Sequence, residues 1–152
     1  MAVGTVTKYT QIFDLMMGDA YRQWDNATAG NIMFGLVTNG YTPSAAHTTA
    51  GDLSTNIITV GDGLPIAATS LAVNVNAGVT WMTSADAAFG NPVSITAKYL
   101  VCMQPVTAGT YASTAKLLWY VDLDNSSGSA SITSTASEFT VHVPTNGWIS
   151  IT

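Results

Sequence analysis

Charged side chains are scarce in this chain. Asp, Glu, Lys and Arg make up 9% of its 152 residues, against about 25% in an ordinary soluble domain. The cations are Lys8, Arg22, Lys98 and Lys116. They are scattered, and the formal charge is −5, so the chain lacks the clustered Lys and Arg that a nucleic-acid surface needs. Long hydrophobic runs are missing too. No stretch approaches the roughly 20 apolar residues that span a bilayer, so lipid does not account for the missing charge and no membrane partner is expected. Cysteine is represented by Cys102 alone, which excludes an intrachain disulfide. Its apolar setting, YLVCM, predicts a small buried hydrophobe rather than a reactive thiol. The N-terminus, MAVGTVTKYTQIF, has no basic segment followed by an apolar stretch, so the expectation is synthesis in a cytoplasm without a secretory signal.

Thr, Ser, Ala, Asn and Gly fill the positions where charges normally sit. A surface of that kind has little to keep it from sticking to other chains. It predicts a subunit whose surface is covered by neighbours in a permanent assembly. The length suits one domain, 1–152, able to bury about 68–70% of the surface its unfolded chain exposes.

One helix is predicted, over 8–20, where Tyr9, Ile12, Phe13, Met16 and Ala20 recur at spacings of three and four. Thr7 stands at its start as a cap, and residues 1–7 precede it as an arm. Beyond it the pattern switches to period two. Strands are predicted at 32–38, 71–75, 79–82, 93–103, 117–123 and 139–143, followed by Trp148–Ile151. The first is apolar on both faces, as in a central strand. Residues 41–52 and 124–137 are expected to be surface loops, the second low-complexity and polar. Asn76-Ala77-Gly78 is expected as a three-residue hairpin loop, and Pro144-Thr145-Asn146-Gly147 as a turn. One helix followed by seven or eight strands predicts a mainly β fold: an antiparallel β-sandwich or a flattened barrel, with the helix against one face or end. Trp81, Tyr99, Trp119 and Val141 are expected in a core or an interface, with Trp24 and Trp148 freer beside turns.

Catalytic chemistry is hard to find. A zinc site needs three or four converging ligands. His47 and His142, with one cysteine and no HxxxH or CxxC, give no reason to expect a metal, and no cofactor is predicted. No GxSxG elbow is present for a serine nucleophile. Asp122 and Asp124 share one side of a strand end, where they are either an acid–base pair or solvated carboxylates. DLDNSS (122–127) is similar to a calcium loop but lacks its glycine and distal glutamate. Gly61-Asp62-Gly63 is a turn rather than a phosphate cradle. The four tryptophans also fit a sugar-stacking platform. The expectation is a non-enzyme.

The order of features carries a resemblance. A short helix leads into NIMFGLVTNGYTPSAAH, then GDGLP, AGVTWMT, ITAKYLVCM, LLWYVDLD and FTVHVPTNGWISI. This succession, from about residue 8 to residue 152, resembles a group of small tailed-bacteriophage virion proteins. It departs from them at GDGLPIAA, where a Gly-Tyr followed by Gly-Gly is usual. The resemblance implies a capsid decoration, or cement, protein, made in the host cytoplasm and located on the capsid surface of the virion. Its partners would be the major capsid protein and further copies of itself, as a trimer or dimer. Contact with the capsid is expected from the N-terminal arm and the 41–52 loop, through Val3, Val6, Tyr41, Pro43 and His47. A tail, neck or head-fibre component, and a carbohydrate-binding β-sandwich module, are the alternatives.

Overall fold

Valine, isoleucine and threonine recur through the alternating stretches, and their branched Cβ favours extended backbone. In a computed structural model, which describes residues 4–12, 30–76, 78–124, 130–145 and 147–151, those stretches form twelve strands. They are β1 (Val6–Lys8), β2 (Met33–Val37), β3 (Ile66–Ala67), β4 (Ala72–Asn76), β5 (Val79–Thr83) and β6 (Ala87–Ala88). The second half of the chain supplies β7 (Val93–Ala97), β8 (Tyr99–Gln104), β9 (Lys116–Asp122), β10 (Ile132–Ser137), β11 (Thr140–Val141) and β12 (Ile149–Ile151). A five-stranded sheet has the order β1-β9-β8-β2-β3, and a three-stranded sheet the order β12-β5-β4. β10-β7 and β11-β6 form two-stranded pairs. Every pairing is antiparallel. The fold is therefore mainly β and antiparallel, as expected, and the sheets do not close into a barrel.

The centre of the five-stranded sheet is buried on both faces. β2 has no exposed residue. Phe34 and Leu36 face one core, shared with Leu100, Cys102, Trp119 and Val121, with Ile95, Val141 and Ile149 from the smaller sheets, and with Trp148 from the turn before β12. Met33 and Val37 face a second core, with Val101, Met103, Leu117, Tyr9, Tyr41, Leu53 and Ile57. Gly35 lets this second layer approach. A Cβ there would stand 2.7 Å from the Met103 methyl and 3.2 Å from Ile57.

Several expectations are corrected. Lys8 ends a strand and Thr10 and Gln11 form a turn, so the helix expected from Lys8 does not start there; Ile12 has helical backbone, and residues 13–20 lie outside the described residues. Tyr9 and Ile12, expected on one helical stripe, enter different cores. A short 3-10 segment, Ala50–Asn56, lies inside and just beyond the expected 41–52 loop. The 93–103 run is two strands in different sheets, broken at Lys98. There the Lys98 amide donates to Val37 and its carbonyl accepts from Leu123. The 124–137 loop contains β10, in which the Ser134 hydroxyl bonds to the backbone of both Val93 and Ile95. The turn before β5 has two residues rather than three, since Asn76 pairs with Val79. Trp148 is buried rather than free, whereas Trp81 and Tyr99 are half-buried.

Candidate functional site

Four tyrosines and a histidine converge where the 38–57 segment lies over the five-stranded sheet. The Tyr41 hydroxyl is 3.0 Å from that of Tyr9 and 2.7 Å from His47 Nδ1. Tyr99 stands edge-on to Tyr41 with ring centroids 6.0 Å apart. Tyr120 completes the circuit at 5.9 Å from Tyr99 and 5.3 Å from Tyr9. Such tilted and edge-on pairs contribute about 0.5–1.5 kcal/mol each beyond area burial. Burial raises the phenol of Tyr41 above its ordinary value, and burial with the Tyr41 hydrogen bond drives that of Tyr9 far up. Both therefore stay neutral across physiological pH. The segment is pinned further along. The Asp52 carboxylate accepts the amides of Thr48 and Thr49 at 2.8 and 2.9 Å, which holds its pKa below the usual carboxylate range. Gln11 bonds the carbonyls of Thr48 and Leu117.

This geometry sorts the residues expected to touch a capsid. Val3 lies outside the described residues. Val6 is in β1, paired with Val121 and half-buried against the larger core. Residues 6 and 7 are thus sheet, and Gly4 already donates to the Asp122 carbonyl, so they are not a free arm. Tyr41 is withdrawn from the surface, 4% exposed. Pro43 and His47 are half-buried and flank Ser44, Ala45 and Ala46, which are exposed. The structure brings Tyr41 and His47 together and puts Val6 on a different strand. Tyr9, Tyr99 and Tyr120 were not expected in this cluster. The signal for Tyr99 and Tyr120 was a tyrosine in a strand otherwise built largely from aliphatics.

Asp122 and Asp124 belong to a second cluster. Both face Lys98 Nζ, at 2.9 and 3.5 Å, and Lys98 is 1% exposed. Burial works against the ammonium, but the carboxylates prevail and its pKa lies above the ordinary lysine value. The ammonium also lies 5.9 Å from the Tyr99 ring centroid. The two aspartates therefore neutralise a buried cation, which is a structural use. A lone lysine inside the apolar run ITAKYLVCM was the available clue.

A third pair, His142 Nδ1 and Asp86 Oδ2, is 2.7 Å apart and exposed. The hydrogen bonds from His142 and from the Val143 amide lower the Asp86 pKa. His142 borders a cleft of ≈ 380 Å³ with Ser134, Ser137, Glu138 and Thr140. The hydroxyl of Thr140 is bonded to Glu138 and that of Ser134 to Val93. Neither is held by His142. A second cleft of ≈ 290 Å³ lies between Val6 and Lys8 on one side and Pro144, Trp148 and Ile149 on the other. Among the described residues, no three His, Cys, Asp or Glu side chains gather as metal ligands. No family model, no curated protein and no solved structure matches the chain, so its functional reading rests on its own residues and geometry.

Proposed function

We propose that the chain is a structural protein of a bacteriophage virion, seated on the outside of the capsid and bridging neighbouring subunits. The observation that carries this is a surface with little charge and prominent valines: Val60, Val75 and Val106 are 81%, 70% and 61% exposed. Permanent interfaces are depleted in charge. In this reading the five-stranded sheet and the smaller sheets enclose the larger core as a sandwich. The crest 42–48, carried on the Tyr41–His47 hydrogen bond, is the face offered to the lattice.

Cryo-electron microscopy of phage particles containing the chain tests this. Density repeating regularly over the head is expected. Density confined to tail, neck or fibre would favour that alternative, and particles without the chain would overturn the reading. Charge placed on the crest by Ala45→Glu with Ala46→Glu should weaken attachment by at least about tenfold, or 1.4 kcal/mol, with the melting temperature unchanged. The sugar-binding alternative has less support. Trp119 and Trp148 are buried and Trp81 is half-buried, which leaves no fully exposed indole platform among the described residues.

A further inference from the structure

The three-stranded sheet β12-β5-β4 has no charged residue in any strand, and one of its edges is β4. Among the described residues β5 is the sole strand paired with β4. Edge strands of monomeric proteins are usually guarded by lysine, proline, a bulge or shortness. β4, Ala72-Val73-Asn74-Val75-Asn76, has neither lysine nor proline, and its ladder with β5 runs five pairs without a register shift. Val73 and Val75 are 40% and 70% exposed.

The two-residue connection fixes which backbone groups are open. In such a hairpin the closing pair, here Asn76 and Val79, exchanges both hydrogen bonds, and so does every second pair beyond it. Asn74 and Ala72 therefore bond to β5, while the amides and carbonyls of Val73 and Val75 point outward. Groups spaced like this are satisfied by another extended strand. The sequence is also symmetric about Asn74. An antiparallel partner related by a two-fold axis through Asn74 sets Val73 opposite Val75 of the second copy and Asn74 opposite its own equivalent. Such pairing is self-complementary, the requirement for a closed dimer. It meets no like charges, because neither edge has any.

We infer that β4 is a homodimer interface, pairing with β4 of a second copy to make one continuous six-stranded sheet. This deepens the assembly reading above. It is tested on the purified chain alone, so its failure and the failure of capsid binding are separate results. The residues on the axis form a non-hydrogen-bonded pair with Cα atoms about 4.5 Å apart, within the range a disulfide spans. Asn74→Cys should therefore cross-link to itself under mild oxidation. The rate should exceed by about tenfold or more that of Val60→Cys, a control that is 81% exposed and gains no proximity from the pairing. The native Cys102 is fully buried and stays out of the reaction. Adding Val75→Lys should abolish the Asn74→Cys cross-link. In the native background, Val75→Lys should convert a concentration-dependent dimer into a monomer by sedimentation velocity, with an unchanged melting temperature. Equal cross-linking of the two cysteine variants, cross-linking that survives Val75→Lys, or a native chain monomeric at every concentration would each overturn the inference.

Discussion

Lys98 is a buried cation whose two anions keep one side in water: Asp122 and Asp124 are 28% and 24% exposed. That asymmetry sets the cost of removing either part. Lys98→Met discards the buried charge and leaves carboxylates that can hydrate. Asp122→Asn with Asp124→Asn leaves an ammonium in the interior without a counter-ion, a loss of about 3–5 kcal/mol. The double asparagine variant should therefore be the less stable in urea, and an equal or reversed order would contradict the assignment. Proton linkage gives a second expectation. Tyr9, Tyr41, Tyr99, Tyr111 and Lys98 all have raised values in the folded chain, whereas free phenols ionise near pH ~10. Above that pH the unfolded chain holds fewer protons than the folded one, so stability falls as pH rises. Asp52 and Asp86, with lowered values, act at the other end. Their contribution is complete above the ordinary carboxylate range and is lost as pH falls through their folded values. Urea midpoints across pH should show a plateau with two falling limbs. Tyr9→Phe should flatten the alkaline limb while costing about 1 kcal/mol at neutral pH for the lost hydrogen bond.

Among the elements, the 38–57 segment departs most from what its composition foretells. YTPSAAHTTAGD is turn-forming and polar, yet Tyr41, Ala50, Leu53 and Ile57 are buried under it. Leu53→Ala should cost about 2–5 kcal/mol and raise amide exchange through the segment, while exchange in β7 and β10 stays slow. The period-two strands were legible because one face of each is aliphatic, as in Ile95 and Ala97 or Trp119 and Val121. β10 was hidden because its inward Ser134 is satisfied by hydrogen bonds to β7, which hydropathy does not register. The break at Lys98 was hidden because β-propensity runs unbroken through ITAKYLVCM and only the packing divides it between two sheets. The tyrosine cluster was half legible. Tyr41 and His47 stood out as loop residues, but their partner Tyr9 looked like part of a helix, and nothing local in the sequence pairs residues 32 apart.

For the molecule as a whole, several of the few charges among the described residues are tied to partners within the chain. Asp122 and Asp124 neutralise Lys98, Asp52 ties down a covering segment, and Asp86 holds His142. With charged residues only 9% of the chain, repulsion between copies is weak. Light scattering should rise steeply as pH nears the isoelectric point of about 4.4, where the remaining net charge vanishes. The large core also contains a device of another sort. Trp119 and Trp148 are stacked with centroids 5.0 Å apart and planes 26° from parallel. One indole comes from the middle of β9, the other from the turn where Gly147 has φ 71° and Trp148 donates its amide to the Met82 carbonyl. Two chromophores this close share their excited states. The folded chain should therefore show a pair of opposite-signed circular-dichroism bands, lost in Trp148→Phe. Because the pair joins β9 to the last turn of the chain, those bands report, without any label, whether the C-terminal strand is latched.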